Sequence, residues 1–293
     1  MRPIVVLKVG GSLGIQAMTS LSAVIHRITQ SGKVPIVVHG GGPRISEALA
    51  AENVELPFVD GQRLTPPAAM PIVERVLCDE VNGELTVALC NEGIPAVAFV
   101  RTSHVVFADP LPGMGRTGAV TRVNAQPLLA AVIGDKVPVV APVATEEATE
   151  LACNVNADLA ASAIAREVSA ERIVFFTDVD GIYSNFETGE RLTYTTASEL
   201  ETGLSAGMFE GGMRPKVTAV LEALASSVEA AFVIHGRRTD AALWAVSKSI
   251  ATHLALAESE RTIDAGVVPG TCVIASKDCQ AMKDSTMVRT ARW

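Results

Sequence analysis

The sequence predicts an α/β protein, a sandwich in which helices cover both faces of a mainly parallel sheet. Short apolar runs rich in valine and isoleucine alternate with helical patterns along most of the 293 residues. Continuous apolar runs are typical of parallel strands, because such strands are buried on both faces. The β-α-β rhythm therefore indicates an α/β sandwich. Hydrophobic residues make up 48% of the chain, which is sufficient for a sizeable core.

The elements follow one another in a regular order. Apolar runs predict strands at residues 4–9, 35–38, 96–99, 137–141, 172–177 and 231–234. Helical spacing of apolar residues predicts helices at residues 21–29, 43–51, 69–77 and 159–166, with another that begins at Pro215. A Gly/Pro-rich stretch over 109–118 predicts a hairpin or lid-like excursion. The pattern restarts near residue 168, so we expect lobes over 1–168 and 169–293, with 276–293 as a loose tail.

Composition and charge argue against several classes of function. The net charge of -8 disfavours nucleic acid and anionic membranes as partners. No apolar run approaches the roughly 18 residues that span a bilayer, and the start lacks a signal-peptide pattern, so we expect a cytoplasmic protein. The five cysteines and the histidines lack metal-ligand spacing. We therefore expect buried, reduced thiols and no metal site built from cysteine sulfur or histidine nitrogen.

Two lysines flanked by glycines are the strongest functional signal. Lys8 ends the first apolar run and is followed by Gly10 and Gly11, so a strand delivers a cation to a turn without side chains. Lys216 follows two further glycines and falls in the first turn of a helix whose first residue would be Pro215. A lysine there opposes the helix dipole, and a bound phosphate would reverse that penalty. The two cations suggest a site for a polyanion, as phosphoryl transfer requires.

A second glycine cluster, Gly40 to Gly42, follows the second apolar run. It precedes Pro43, which we expect to be the first residue of a helix. Glycine backbone can approach a ligand closely, and a helix start offers unpaired N–H donors. Gly41 and Gly42 are therefore candidate ligand-binding residues, and the alternative is a plain tight turn.

Arg63 lies beside a glycine, in the stretch that leads to Thr65. A guanidinium can hold a substrate carboxylate through two parallel hydrogen bonds. The alternative is a solvated surface arginine. The segment that begins at Thr65 is expected to cap a helix.

Three polar residues alternate at Asn154, Asn156 and Asp158. In an extended backbone their side chains point to the same side, which suggests a role in ligand binding or in organising a site. The alternative is a group of helix-capping residues, in which Asp158 would cap the helix that follows.

An acidic turn follows the strand predicted at 172–177. Asp178 and Asp180 could bind a nucleotide ribose or a hydrated metal ion. The alternative is an Asx-type turn closed by Gly181.

Several familiar nucleotide-binding and catalytic signatures are missing from the sequence. It contains no GxxxxGK[ST] motif, no HRD or DFG motif and no GxGxxG motif after the first strand. Seven short motifs nevertheless occur in a characteristic order: KVGGS, VHGGG, FVDGQRLT, NVNAD, FTDVDGIY, GGMRPK and PGT. In this order they resemble the amino acid kinase family over roughly residues 3 to 274.

The resemblance implies an open αβα sandwich with two lobes. The N-terminal lobe, residues 1–168, would bind the amino acid and support a homodimer, and residues 169–293 would bind ATP. The members that the chain most resembles use ATP and Mg²⁺ to phosphorylate the side-chain carboxylate of N-acetyl-L-glutamate in arginine biosynthesis. A carboxylate is already a nucleophile at neutral pH, which agrees with a set of motifs rich in cations and glycines but without a triad.

Roles for particular residues also follow from the resemblance. Lys8 and Lys216 would stabilise the transferring phosphoryl group, and Asp158 would orient the two lysines. The residues expected to hold the substrate are Gly41, Gly42, Arg63, Asn154 and Asn156. The residues expected to border or bind the nucleotide are Gly10, Gly11, Asp178, Asp180, Gly181, Tyr183 and Met213.

Three departures from the family pattern leave alternatives open. Arg116 lies in a loop that would approach the substrate, residues 255–264 look like an insertion, and an extra N-terminal helix is missing. The last feature suggests a dimer without inhibition by arginine. The alternatives are a same-fold kinase of a related carboxylate, such as an aminoadipate or glutamate derivative in carrier-linked or specialised metabolism, and a non-catalytic paralogue. Arg116 would suit a more acidic or larger substrate.

Overall fold

A computed structural model describes residues 2–13, 17–185, 187–209, 212–259 and 268–275. The strands are β1 (Ile4–Val9), β2 (Val34–His39), β3 (Phe58–Val59), β4 (Gln62–Arg63), β5 (Ala96–Phe99), β6 (Val106–Pro110), β7 (Thr117–Val123), β8 (Val137–Val140), β9 (Val143–Thr145), β10 (Ala152–Val155), β11 (Arg172–Thr177), β12 (Ile182–Asn185), β13 (Glu190–Leu192), β14 (Tyr194–Thr196), β15 (Ala230–His235) and β16 (Gly270–Ile274). The helices are α1 (Met18–Gln30), α2 (Gly42–Ala51), α3 (Met70–Glu74), α4 (Asn82–Asn91), α5 (Gln126–Ile133), α6 (Ala157–Glu167), α7 (Ala197–Ser205), α8 (Met213–Leu224), α9 (Thr239–Ser247) and α10 (Ile250–Ser259).

The central sheet has eight strands in the order β14-β16-β15-β11-β1-β2-β8-β5. The pairing is parallel throughout except between β15 and β16. Four further strands, β6, β7, β9 and β10, close on one another beside this sheet, and β3 with β4 and β12 with β13 form hairpins. The mainly parallel α/β sandwich that the sequence predicts is therefore confirmed.

Strand β1 shows why the sheet is buried on both faces. Ile4 and Val6 join the apolar layer that contains α5, α6 and α8. Val5, Leu7 and Val9 join the opposite layer with α1 and α9. Side chains alternate between the two faces of a strand, so a six-residue apolar run contributes to both layers.

The sheet continues across the boundary expected at residue 168, because β1 pairs with β11 in parallel. The division into lobes over 1–168 and 169–293 stays a prediction. The tail over 276–293 lies outside the described residues. The stretch at 255–264 is described only as far as Ser259, where it belongs to α10.

The helix predicted at 69–77 is part of a longer helical region. A 3-10 turn at Pro67–Ala69 leads into α3, a π-helical segment covers Arg75–Val81, and α4 continues the helix to Asn91. No side-chain cap from Thr65 precedes this region, so the expected capping role of Thr65 is wrong. The hydroxyl group of Thr65 instead donates to the carbonyl of Arg63 at 2.9 Å.

The starts of two other helices also differ from the expectation. Helix α2 begins at Gly42, so Pro43 is its second residue, and α8 begins at Met213, so Pro215 is its third. Proline is tolerated at each of these positions because the first turn of a helix has no intrahelical use for its N–H groups. Lys216 is accordingly the fourth residue of α8.

Three of the described cysteines, Cys78, Cys153 and Cys272, are buried and free, whereas Cys90 is exposed, contrary to the expectation for that residue. Across the described part of the chain, no helix is both long and apolar enough to span a membrane.

Truncation of a buried side chain should destabilise the protein more than truncation of an exposed one. Leu21 on α1 is 0% exposed, and Ile133 at the end of α5 is 70% exposed. We expect Leu21→Ala to lower the free energy of unfolding by about 2–5 kcal/mol, because it leaves a cavity. Ile133→Ala should change it by less than about 0.5 kcal/mol. Urea titrations of both variants measure this, and equal losses would contradict the layer assignment.

Candidate active site

A cavity of about 540 Å³ opens where β1, β2 and β11 end. In open parallel sheets, ligands bind outside the carboxyl ends of the strands, because the loops and helix N-termini converge there. The predicted site residues that line it are Lys8, Gly10, Gly11, Gly41, Gly42, Arg63, Asn154, Asn156, Asp158, Asp178 and Lys216.

An aspartate and two lysines form the charged centre of the cavity. Lys8 Nζ lies 2.8 Å from Asp158 Oδ1, and the side chains are 9% and 17% exposed. Burial lowers the pKa of Lys216 below its usual value, the charge of Asp158 opposes this shift, and the charge of Lys8 adds to it. Asp158 therefore favours the protonated form of Lys216 while it pairs with Lys8.

The two glycine loops meet at the wall of the cavity. A Cβ atom on Gly11 would lie 2.5 Å from the nitrogen of Gly41 and 2.7 Å from that of Gly42. These distances are shorter than any real Cβ contact, so the approach requires glycine at position 11. Because Gly42 starts α2, the first N–H groups of that helix have no intrahelical acceptor and are placed beside the cavity.

Arg63 is held in place beneath these loops. It is 7% exposed, so the alternative of a solvated surface arginine is wrong. Its Nη2 donates to the carbonyl of Gly42 at 3.0 Å and to Ser46 Oγ at 2.7 Å, and its guanidinium lies 4.5 Å from the centre of the Phe58 ring. Burial also lowers the pKa of Arg63 below its usual value. These contacts fix the orientation of a cation that lines the cavity.

Asn154 is connected to Arg63 through two buried threonines. Asn154 Nδ2 donates to Thr65 Oγ1 at 3.0 Å, and the hydroxyl groups of Thr65 and Thr117 both donate to the carbonyl of Arg63. The N–H of Thr65 donates to Thr117 Oγ1 at 3.1 Å. Sequence reasoning missed Thr117, since no local pattern indicates that it lies beside Arg63.

Asn154, Asn156 and Asp158 reach the cavity in a way that differs from the prediction. Asn154 is on β10, but the extended backbone ends before Asp158, which lies in the first turn of α6. Asn156 is the N-cap, and its side chain accepts from the N–H groups of Asp158 at 2.8 Å and Leu159 at 3.3 Å. The alternative of a helix-capping group is therefore confirmed for Asn156 and wrong for Asp158. Asp158 instead lies at the positive end of the helix dipole.

The expected nucleotide residues divide into two groups. Asp178 lines the cavity, whereas Asp180, Gly181, Tyr183 and Met213 do not line the part of it that the described residues define. Asp180 lies 3.6 Å from Arg238, and a Cβ atom on Gly181 would lie 2.4 Å from Thr271 Oγ1.

Within the acidic turn after β11, Thr177 Oγ1 accepts from the N–H of Val179 at 3.2 Å. The hydroxyl of Thr177 also donates to the carbonyl of Val179 at 2.9 Å. A threonine thus organises this turn, and the Asx-type alternative placed that role on an aspartate.

Arg116 does not reach toward a substrate, contrary to the expectation from its loop. Its guanidinium donates to the carbonyl of Ala152 at 2.8 Å, to Glu146 at 2.8 Å and to Cys153 Sγ at 3.2 Å. The N–H of Arg116 donates to the carbonyl of Thr65 at 2.6 Å. The residue therefore braces the wall that carries Arg63, and its charge is balanced inside the protein.

No group of three or more His, Cys, Asp or Glu side chains could hold a metal ion within the ranges that the structure describes. Among the described residues that line the cavity, the charged ones are two lysines, one arginine and two aspartates. Such a set can neutralise and orient an anionic ligand, and it offers a metal ion at most a few oxygen ligands.

The fold and this site define a class of phosphotransferase, and the comparisons with known proteins agree. The sequence model of the amino acid kinase family matches residues 3–235. This chain belongs to the amino acid kinase family. Giardia lamblia carbamate kinase bound to AMP-PNP shares the fold, with a TM-score of 0.65, 15% identity and coverage of 94% of this chain and 99% of that chain.

Within this family, the chain is similar to several acetylglutamate kinases. The chain is 39% identical to the acetylglutamate kinase of Wolinella succinogenes over 70% of this chain and 73% of that protein. It is 36% identical to the acetylglutamate kinase of Helicobacter hepaticus over 80% of this chain and 85% of that protein. It is also 36% identical to the acetylglutamate kinase of Dinoroseobacter shibae over 82% of this chain and 84% of that protein.

The close approach of the glycine loops yields a stability prediction. We expect Gly11→Ala to lower the free energy of unfolding by about 1–3 kcal/mol, because the new methyl group must displace the start of α2. Gly83 lies in a helix, and a Cβ atom there would meet nothing within 4 Å. Gly83→Ala should therefore raise stability by about 0.4–1 kcal/mol. Chemical unfolding of the pair measures this difference, and similar changes in both would contradict the packing of the loops.

Proposed function

We propose that this protein transfers the terminal phosphoryl group of ATP to the side-chain carboxylate of N-acetyl-L-glutamate. The observation that carries the proposal is the arrangement of Lys8, Lys216 and Asp158 in one cavity beside the glycine loops and Arg63. The acetylglutamate kinases to which the chain is similar support the choice of substrate. The product would be an acyl phosphate, with ADP as the leaving group.

This phosphoryl transfer requires alignment of the two reactants and neutralisation of the negative charge between them. A carboxylate oxygen attacks the terminal phosphorus, the bond from phosphorus to the bridging oxygen breaks, and the electron pair leaves with ADP. No proton has to be removed from the nucleophile, so no general base is needed. Lys8 and Lys216 would stabilise the negative charge that spreads over the phosphoryl oxygens, and the glycine N–H groups would donate to the same oxygens.

The substrate would lie between the glycine loops and the wall formed by β4 and β10. Arg63 would pair with the α-carboxylate, and Asn154 with the acylamino group. Asn156 is occupied as the N-cap of α6, so we assign it to the organisation of the site. Mg²⁺ would arrive with the phosphate oxygens of ATP, which is its usual mode of binding at kinase sites.

The remaining parts of the proposal rest on the resemblance to the family. Residues 169–293 would supply the ATP lobe, with Asp178 on the cavity side and Asp180, Gly181, Tyr183 and Met213 farther along the nucleotide. A role in arginine biosynthesis, a cytoplasmic location and a homodimer complete it. The open edge of the sheet at β5 and the 59% exposed Val87 on α4 are compatible with a partner copy at that end.

A substrate panel tests the function. With ATP and Mg²⁺, a hydroxamate assay for acyl phosphate should give a kcat/KM for N-acetyl-L-glutamate at least about tenfold above that for glutamate, aspartate or N-acetyl-aminoadipate. Lys8→Ala is the negative control, and its kcat should fall by roughly a hundredfold or more. Turnover with a non-acetylated acid alone would sink the substrate assignment. Full activity of Lys8→Ala would sink the catalytic one.

The pH profile tests the role of Asp158. Burial and the charge of Lys8 lower the pKa of Lys216, and the charge of Asp158 raises it. Lys216 loses its positive charge as the pH rises through its pKa, so activity should fall on the alkaline side. In Asp158→Asn the pKa should be lower still, and the fall in kcat/KM should move to lower pH.

Asp135→Asn provides the matched control, because that side chain is 79% exposed and does not line the cavity. Its profile of kcat/KM between about pH 7 and 10.5 should coincide with the wild type. If the Asp158→Asn profile also coincides with the wild type, Asp158 does not set the charge of Lys216.

A further inference from the structure

A buried pair of polar side chains, His39 and Asn82, lies behind the glycine loop and outside the cavity. His39 is 1% exposed and Asn82 is 0% exposed. Asn82 Nδ2 lies 3.1 Å from His39 Nε2 and donates to the carbonyl of Val139 at 2.9 Å. His39 Nδ1 lies 3.0 Å from the carbonyl of Gly40. The pair thus connects the interior strand β8 to the residue that precedes Gly41 and Gly42.

The donors and acceptors in this chain can be assigned from chemistry. A carbonyl oxygen can only accept a hydrogen bond. The amide nitrogen of Asn82, and not its amide oxygen, must therefore face the carbonyl of Val139. The second hydrogen of the same nitrogen then points to His39 Nε2, which must be the unprotonated nitrogen. Nδ1 therefore carries the proton and donates it to Gly40. Burial lowers the pKa of His39 to about 4, which keeps the ring neutral and Nε2 able to accept.

The π-helical segment before Asn82 explains how the pair reaches the loop. Leu77 and Asn82 are five residues apart, and in an α-helix such residues point about 140° away from each other. An i→i+5 helix is wider, and it brings them to the same side. Leu77 Cδ2 lies 2.6 Å from the place that a Cβ atom on Gly41 would occupy, while Asn82 contacts His39. The segment Arg75–Val81 thus presents both residues to the glycine loop.

We propose that Asn82 and His39 are positioning residues that set the placement of Gly40 to Gly42 for phosphoryl transfer, and that the π-helical segment serves to bring Asn82 and Leu77 to this loop. This inference rests on the proposed function, since it concerns the loop that would donate to the phosphoryl oxygens. The loop is held from both sides, because the N–H of Gly40 donates to the carbonyl of Val9 at 2.8 Å. Neither side chain is among the described residues that line the cavity, so both would act through the backbone of the loop.

Two readouts that do not depend on activity test the geometry. Long-range ¹H–¹⁵N spectra of the full chain should show His39 with a protonated Nδ1 and an unprotonated Nε2. In Asn82→Ala, hydrogen exchange at the amide of Gly40, which donates to the carbonyl of Val9, should speed up by about tenfold or more, because the loop loses its support. Asn91→Ala is the matched control, the same substitution at the other end of the same helix, and it should leave both readouts unchanged.

Kinetics test the positioning role. With folded protein confirmed by circular dichroism well below the melting temperature, Asn82→Ala should lower kcat by about tenfold to a hundredfold. The KM for N-acetyl-L-glutamate should change by less than about twofold, because the lost contacts act in the transition state. A merely structural role would lower the melting temperature and leave kcat of the folded enzyme intact.

A pair of substitutions at position 39 separates the two hydrogen bonds. Asparagine can place its amide nitrogen where Nδ1 lies, whereas glutamine can place its amide where Nε2 lies. If the bond to Gly40 sets the loop, His39→Asn should retain more of kcat than His39→Gln. The losses from His39→Gln and Asn82→Ala should also fail to add in the double variant, because both break the same chain of contacts.

The outcomes separate this inference from the proposed function. A protonated Nε2, loop exchange unchanged in Asn82→Ala, or a folded Asn82→Ala with wild-type kcat would each overturn the positioning role. A wild-type protein without activity on N-acetyl-L-glutamate would overturn the function alone, and the spectra and exchange rates would still decide whether Asn82 and His39 hold the loop.

Discussion

The site depends on a carboxylate that is shared by two partly buried cations. In the proposed function Lys8 and Lys216 must both be charged to neutralise a transferring phosphoryl group, yet burial and the charge of Lys8 lower the pKa of Lys216 and favour loss of its proton. Asp158, 2.8 Å from Lys8, offsets this cost, and its own position is set by Asn156 at the start of α6. The cap of one helix, the end of β1 and the first turn of α8 are therefore parts of one electrostatic arrangement.

The parallel sheet makes this arrangement possible. Because β1, β2 and β11 run in the same direction, their carboxyl ends deliver a lysine, a glycine cluster and an acidic turn to the same edge. The loops can meet there only because position 11 has no side chain. Behind the loops, buried polar contacts hold the backbone where a flexible glycine chain would otherwise move. Arg63 on one side and His39 on the other provide these contacts.

Sequence patterns predicted six of the eight strands of the central sheet, missing β14 and β16, and predicted the details of the site less well. Buried strands of a parallel sheet are continuous apolar runs, and such a run can be recognised from the sequence alone. Helix starts depend on single side-chain hydrogen bonds, so Asn156 could replace Asp158 as the cap without a change in the pattern. The expectation that Arg116 approaches the substrate was wrong for a similar reason, since its partner Glu146 is thirty residues away in sequence. The π-helical segment was missed because its apolar spacing resembles that of an ordinary helix.

The sequence by itself determined the class of the fold and supplied the candidate residues of the site. Periodicity is a local property. Lysines, glycines and aspartates at strand ends are candidates because the residue type alone indicates which ligand groups they can bind. Only the tertiary structure decided which of these residues meet. It brought Lys8, Asp158 and Lys216 together across more than two hundred residues, and it put Asp180 and Met213 outside the lining of the described cavity. The physical reason is that proximity and burial arise from the packing of the sheet and helices, and no local pattern of residues contains them.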